Sequence, residues 1–307
     1  MNAVNGLLLV DKEQGMTSHD VVGLARRVLN TKAVGHAGTL DPMATGLLVL
    51  GVGEGTKLLG YVGGDGKCYR GIIALGSLTS TWDADGDVVE RRAVPQLTLD
   101  MVREAAQPFV GTFMQRPPAV SAIKQDGEPL YKKVRRGEAV TAPLREVTVF
   151  ELTVHEVRES LIEFTVVASS GFYVRSLAND LAVALGTVGH LTYLRRERSG
   201  TFDVKDAIAT RELRESTLGN ALACEHVRRA VLPLAQSLRR VLPHAVLDDI
   251  GSQHARHGRG IAIEHVVSAS NPELDAGSLG LFDPEGTPLA IAHMNEGVLR
   301  VRRGFVV

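Results

Sequence analysis

The first regular pattern in the chain is a continuous apolar run, Gly6-Leu7-Leu8-Leu9-Val10, followed by the polar turn Asp11-Lys12-Glu13-Gln14-Gly15. A run this short predicts a buried strand. Thr17 and Asp20 have the spacing of a capping box, and Val21, Ala25, Val28 and Leu29 give the helix that follows an apolar stripe. Leu47–Val52 and Arg70–Leu75 predict two further strands, and Val88–Val94 a fourth. Thr98–Phe109 is periodic as a helix, and Gln115-Arg116-Pro117-Pro118 suits no regular element. Val147–Val157 alternates, which puts Phe150, Leu152 and Val154 on one face. Ile162, Phe164, Val166 and Ala168 alternate again, so the short connection at Arg158–Leu161 predicts an antiparallel hairpin. Val174, Leu177, Ala178, Leu181, Ala182 and Leu185 fit a period of 3.6, and helical pattern returns from Asp206 to about Arg240. Beyond Val241 the texture changes to short strand candidates, Leu279–Phe282, Leu289–Ala292 and Leu299–Val301, separated by Pro284-Glu285-Gly286 and Asn295-Glu296-Gly297. The hairpin argues against a doubly wound parallel sheet. The expected class is α+β: a mixed, largely antiparallel sheet with flanking helices over residues 1–240, and a small β-rich domain over 241–307.

Composition narrows this picture. The 307 residues correspond to about two domains at roughly 150 residues each. With 44% hydrophobic and 22% charged residues the chain can bury a full core, which excludes a disordered or fibrous protein. A net charge of −1 does not suggest a strongly basic nucleic-acid binder. Cys68 and Cys224 lie far apart, so neither a disulfide framework nor a cysteine metal site is expected, and a reducing cytoplasm is the natural compartment. No apolar run reaches the roughly 18–20 residues of a membrane span, and Met1–Asn5 has no secretory pattern. Among the histidines only His254 and His257 are close neighbours, without partners at zinc spacing, so no metal is expected. Gly51-Val52-Gly53-Glu54-Gly55 lacks the remaining positions of a dinucleotide or phosphate-loop fingerprint.

Three side chains stand out as candidate chemistry. Asp41 ends the glycine-rich stretch Gly35–Pro42, where Pro42 pushes it into extended backbone. A carboxylate fixed this way is a nucleophile or general base, or else part of an ordinary Asp-Pro turn. Arg175 opens the helix after Gly171-Phe172-Tyr173 but lies off its apolar stripe, available to a carboxylate or phosphate or simply solvated. Tyr69 shares a strand face with Gly71 and Ile73, which leaves room for a flat ligand unless the ring is merely core. Seven Lys and Arg against three acidic residues give Thr112–Arg145 a net charge of +4, and Arg195, Arg196 and Arg198 cluster beside Tyr193. Such patches are either solvated faces or the footprint of a polyanion.

These segments resemble the TruB family of tRNA pseudouridine synthases over most of the chain. The resemblance runs through Gly6…Asp11-Lys12…Gly15-Met16-Thr17-Ser18, then Gly35-His36-Ala37-Gly38-Thr39-Leu40-Asp41-Pro42-Met43-Ala44-Thr45-Gly46-Leu47-Leu48. It continues through Thr56-Lys57, Lys67-Cys68-Tyr69 and Gln115–Lys124, and ends with Ser170-Gly171-Phe172-Tyr173-Val174-Arg175 and His190–Arg196. It implies isomerisation of the T-loop uridine at position 55 of tRNA, with no cofactor. Asp41 then matches the catalytic aspartate, Tyr69 the tyrosine that stacks on the base and handles a proton, and Arg175 the arginine that pairs with the aspartate and keeps it ionised. Leu194 matches an active-site leucine, and His36, Lys57, Gly38, Thr39 and Tyr173 fall in the substrate-binding set. The implied partner is the tRNA T-arm stem-loop, without a guide RNA, a membrane or a second subunit. Residues 241–307 are expected to be a PUA-like domain, and residues near 112–145 an RNA-contacting insertion. Two other readings stay open: a guide-RNA-dependent synthase, and a non-enzymatic RNA-binding role. The chain departs from the family pattern at Glu13, where Pro is usual, at Ser80, where Asp is common, and at Phe172, where Thr is common. Residues 241–307 carry a net charge of −3. Because every matched catalytic position lies at or before Arg196, this part is expected to be dispensable for catalysis on a short hairpin.

Overall fold

Leu8 and Val10 face one side of the first strand and Leu7 and Leu9 the other, and both sides are dry. The strand is Gly6–Lys12 and pairs antiparallel with Thr45–Val52. Leu8, Val10, Leu48 and Leu50 pack under the helix Ser18–Leu29 and against Leu213 and Val227 of the helices Thr210–Ser216 and Ala221–Arg229. Leu7, Leu9, Leu47 and Val49 pack on the opposite side against Leu58, Leu234 and Leu238. Two covered faces explain why these strands read as unbroken apolar runs instead of alternating. Thr17 and Asp20 form the expected capping box.

The structure, a computed structural model, describes residues 4–64, 66–121, 123–125, 127–138, 140–217, 221–271 and 277–306. Its main sheet runs in the order Ile208–Ala209, Gly6–Lys12, Thr45–Val52, Gly189–Ser199, Lys67–Leu75, Leu161–Ala168, Arg145–Arg158, Gly111–Gln115. Along this path only the first pair and the pairing of Thr45–Val52 with Gly189–Ser199 are parallel, so the sheet is mixed and largely antiparallel. The expected hairpin joins Arg145–Arg158 to Leu161–Ala168. Ile162, Phe164, Val166 and Ala168 all point inward, toward Leu177 and Leu181 of the helix Val174–Ala184 and Val102 of the helix Leu99–Ala106.

Phe150 is not on the inward face. Val147 and Val149 point into the core, but the register shifts between Val149 and Glu151. The bulge inserts one residue and flips the alternation, so Leu152 and Val154 return inward while Phe150 is 54% exposed. Val88–Arg91 forms only a small exposed ribbon with Ser77–Thr79, outside the main sheet. The helical stretch after Asp206 is broken into Thr210–Ser216, Ala221–Arg229 and Leu234–Val241.

A second sheet of six strands follows, in the order Ile261–Ala262, Val298–Gly304, Pro288–Asn295, Ser278–Phe282, His244–Leu247, Val266–Ala269. The three strands expected from the sequence are its centre, and the turn at Glu296-Gly297 is made by two left-handed residues with φ of 51° and 75°. Phe282 and Ile291 of this sheet pack into the same cluster as Leu7, Leu9 and Leu238. No helix among the described residues is long and apolar enough to cross a membrane.

Candidate active site

The Gly35–Pro42 loop leaves the sheet through the strand Val34–His36 and returns through Thr45–Val52, which pairs with it. Four side and main chains hold it between. Ser18 Oγ accepts from Leu40 N at 2.9 Å and donates to Leu40 O at 3.1 Å. Arg196 donates from Nη2 to Gly38 O at 3.1 Å and from Nε to Leu47 O at 2.7 Å. Lys12 Nζ donates to Met16 O at 2.7 Å and reaches Pro42 O at 3.3 Å. Gly15 N donates to Pro42 O at 2.8 Å. Gly38 has φ of +86°, a conformation that glycine adopts without steric cost. Asp41 therefore sits on a loop that is fixed at both ends.

Arg175 reaches Asp41 with two nitrogens: Nε lies 3.0 Å from Oδ2, and Nη2 donates to Oδ1 at 3.2 Å. The helix Val174–Ala184 is anchored just before this arginine, because the Gln115 side chain donates to Tyr173 O at 3.0 Å and accepts from Tyr173 N at 2.8 Å. The guanidinium also donates to Thr81 O at 3.0 Å and Val120 O at 3.1 Å, and Nη1 lies 3.3 Å from Asp83 Oδ2. One buried arginine thus serves two carboxylates. Asp83 is itself buried, and its Oδ1 accepts from Thr81 Oγ1 at 2.5 Å and Asp85 N at 3.1 Å.

Burial pushes the Asp41 carboxyl above the usual carboxylate range, and Asp83 and Asp85 push it the same way. Arg175 and Lys12 oppose the rise without cancelling it. The arginine favours the carboxylate, while burial acts the other way.

Asp41 faces a cavity of about 250 Å³. Seven of the nine expected residues line it: Gly38, Thr39, Asp41, Tyr69, Tyr173, Arg175 and Leu194. His36 does not. It packs edge-on against His19, with ring centroids 5.4 Å apart, and burial lowers its pKa. Lys57 also stands apart, because Glu54 at 2.6 Å and Gly304 O at 2.8 Å hold its ammonium near the last strand. Tyr69 is buried at the cavity wall, but the space expected beside Gly71 is filled. A Cβ built there would lie 2.6 Å from the Phe164 ring of the neighbouring strand. Any flat ligand must therefore meet Tyr69 from the cavity side. A wider depression around Arg70, His155 and Glu163 contains none of these residues.

The basic clusters are less free than their count suggests. Arg195 is tied to Asp11 at 2.7 Å, Arg196 is buried, and Arg136 is shared by Glu128 and Glu138. The side chains of Lys124 and Arg135 lie outside the described ones. Among the described residues no His, Cys, Asp and Glu group converges to hold a metal ion.

The sequence reading missed Asp83 and the loop anchors Ser18, Lys12 and Arg196. Asp83 is one acidic residue among several in Asp83–Asp87, and nothing in its spacing points to Arg175, 92 positions along the chain. Lys67 had a local signal: two residues before Tyr69 on a strand, it shares the same face, and it lines the cavity.

Two family models match the chain, "TruB family pseudouridylate synthase (N terminal domain)" over residues 26–174 and "tRNA pseudouridylate synthase B C-terminal domain" over residues 175–239. A tRNA pseudouridine synthase B of Arthrobacter sp. is 40% identical over 296 residues, covering 94% of this chain and 92% of that one. The protein of the same name from Corynebacterium diphtheriae is 43% identical over 276 residues, 85% of this chain and 92% of its own. A chain from the crystal structure of a Cbf5-Nop10-Gar1 complex superposes with a TM-score of 0.75 at 24% identity, over 99% of this chain and 85% of that one, and shows the same fold. With both family models in register and relatives this similar along nearly the whole length, the chain belongs to the TruB family of pseudouridine synthases.

Proposed function

We propose that this chain converts the T-loop uridine at position 55 of tRNA to pseudouridine, with Asp41 as nucleophile and without a cofactor. The relatives named tRNA pseudouridine synthase B support the class of reaction and substrate. One observation carries the mechanism: the Asp41 carboxylate is gripped by Arg175 on one side and open to a cavity walled by Tyr69 on the other.

The cavity holds no duplex, so the uridine must turn out of its stack to reach Asp41. Tyr69 and Leu194 then pack on the base, and stacking on an aromatic contributes about 1–3 kcal/mol. Asp41 attacks as the carboxylate and holds the base or the sugar covalently while the N1–C1′ bond breaks. The uracil rotates, C5 bonds to C1′, C5 loses its proton and N1 gains one, and the carboxylate is released. Atoms and electrons balance without an oxidant or reductant. We assign that proton transfer to the hydroxyl of Tyr69, whose side chain lines the cavity.

The same reading assigns residues 1–240 to catalysis, residues 112–145 to contact with the RNA, and residues 241–307 to a PUA-like domain. It places the enzyme in the cytoplasm as a monomer that needs no guide RNA. The test is incubation of the purified protein with a bare T-arm hairpin, followed by pseudouridine-specific chemical mapping. Modification at position 55 alone is expected, and an unmodified hairpin would overturn the proposal. Tyr69→Phe is expected to bind the hairpin as wild type does and to turn over about 10²–10⁴-fold more slowly. An unchanged rate would limit Tyr69 to stacking.

A further inference from the structure

Lys67 is 9% exposed and lines the cavity beside Tyr69. Among the described residues its ammonium meets no carboxylate within ion-pair distance and no hydrogen-bond acceptor. Arg196, 1% exposed, lines the same end of the cavity. It uses Nη2 on Gly38 O of the loop and Nε on Leu47 O of the returning strand, while Nη1 makes no hydrogen bond among the described residues. A Cβ built on Gly38 would lie 2.8 Å from Lys67 Nζ and 3.5 Å from Arg196 Nη1. Both cations therefore lie beside one bare Cα, and a side chain at position 38 would require the Lys67 ammonium to shift.

Two like charges side by side in a buried site repel, and among the described residues no acidic side chain pairs with Lys67. Asp41, the carboxylate of this cavity, is already committed to Arg175. Burial and Arg196 together push the Lys67 pKa down to about 8. Support of the loop and its returning strand accounts for Arg196, which bonds to Gly38 O and Leu47 O, but not for Lys67, which makes no such bond among the described residues. A largely buried charge without a partner among the described residues is expensive to keep, and a bound anion would supply that partner.

We propose that Lys67 and Arg196 form a phosphate subsite at the Gly38 end of the cavity, taking a backbone phosphodiester of the RNA next to the uridine that enters. The inference rests on the functional reading above and adds to it a fixed point for the backbone, two residues along the strand from the tyrosine that meets the base. A phosphate held there would set how far the flipped nucleotide enters and so how its ring meets Asp41.

The test replaces single phosphates flanking the target uridine by uncharged methylphosphonates and measures hairpin affinity for wild type and Lys67→Met. At one position the replacement should weaken wild-type binding about tenfold, as for a lost charge-assisted hydrogen bond. The same replacement should change Lys67→Met binding less than about twofold, because the partner is already gone. Lys67→Met should also flatten the salt dependence of binding by about 0.7 in the log–log slope. A role confined to packing would produce neither the non-additivity nor the change of slope. Equal penalties in both proteins, or no penalty at any flanking phosphate in wild type, would overturn the subsite. So would inorganic phosphate competing with hairpin binding while every methylphosphonate is silent, since the site would then serve the free ion. The scan on wild type needs no variant, and Lys67→Gln replaces Lys67→Met if that protein does not fold. Failure of the functional reading is separate: it appears as an unmodified natural hairpin.

Discussion

Asp41 and Asp83 share one guanidinium, and their unequal positions predict different consequences of losing each. Asp41→Ala is expected to form no pseudouridine in the T-arm hairpin while binding it within a few-fold of wild type. Orphaning a buried ion costs about 3–5 kcal/mol, but Arg175 keeps Asp83 at 3.3 Å and two backbone carbonyls. The loss of stability in Asp41→Ala should therefore fall short of that range, as thermal unfolding would show. Asp83→Asn keeps the shape and removes a charge that raises the Asp41 pKa. The acid limb of its pH–rate profile should move to lower pH, and kcat should fall with KM nearly unchanged. An unshifted limb would mean that the two carboxylates do not communicate. Lys67 gives a third outcome, in stability. Its folded pKa is about 8, against about 10.4 for an unfolded lysine. Between these values the unfolded chain binds more protons, so this residue makes stability rise with pH across that window. Free of RNA, Lys67→Met should melt above wild type near pH 7, and the gap should close between about pH 8 and pH 10.4.

At the scale of elements, the site depends on where the loop rejoins the sheet. Gly46 follows Thr45 at the start of the returning strand and has φ of +98°. It pairs with Arg196 in parallel register, and a Cβ there would run into the Arg196 backbone. Gly46→Ala therefore combines an unfavourable φ with a backbone clash and is expected to destabilise by more than about 2 kcal/mol. Because Arg196 also holds Gly38 O, activity should drop beyond what the unfolded fraction explains. Measuring the residual rate at a temperature where the variant remains folded separates the two effects. The bulge at Val149–Glu151 is a second element-scale feature. It turns Phe150 toward Gly66, whose Cβ position lies 3.1 Å from the ring, at the turn that leads into the Lys67–Leu75 strand.

For the whole molecule, the two sheets share a core. Phe282 and Ile291 cover Leu7, Leu9, Leu47 and Val49 together with Leu238, and Gly280 lies directly against the Leu238 side chain. Removal of residues 241–307, expected from the sequence to spare catalysis on a short hairpin, would uncover this apolar layer. At roughly 1.5–3 kcal/mol for each large side chain left unburied, the loss is comparable to the 5–15 kcal/mol that holds an ordinary domain folded. The truncated protein should aggregate or melt far below the full chain. A soluble truncation with an unchanged melting temperature would show that the layer is not essential.

The sequence by itself determined whatever depends on neighbours along the chain. The capping box at Thr17, the strand begun at Gly6–Val10, the hairpin through Arg158–Leu161 and the helix after Tyr173 follow from local pattern, although the strand runs on through Asp11 and Lys12, which read as a turn. Asp41, Tyr69 and Arg175 were legible because each sits in a distinctive short motif. Tertiary structure decided what depends on partners far away in sequence. The bulge that turned Phe150 outward is a register adjustment between paired strands, to which alternation along one strand is blind. Phe164 filled the space at Gly71 from the next strand, and Glu54 with Gly304 drew Lys57 away from the cavity. Asp83 acquired its meaning only through burial beside Arg175, and the strand face that Lys67 shares with Tyr69 says nothing of its burial beside Arg196. An acidic or basic residue looks the same in a sequence whether water or a buried guanidinium faces it, and the fold alone sets which, because desolvation and proximity fix the energy of a charge.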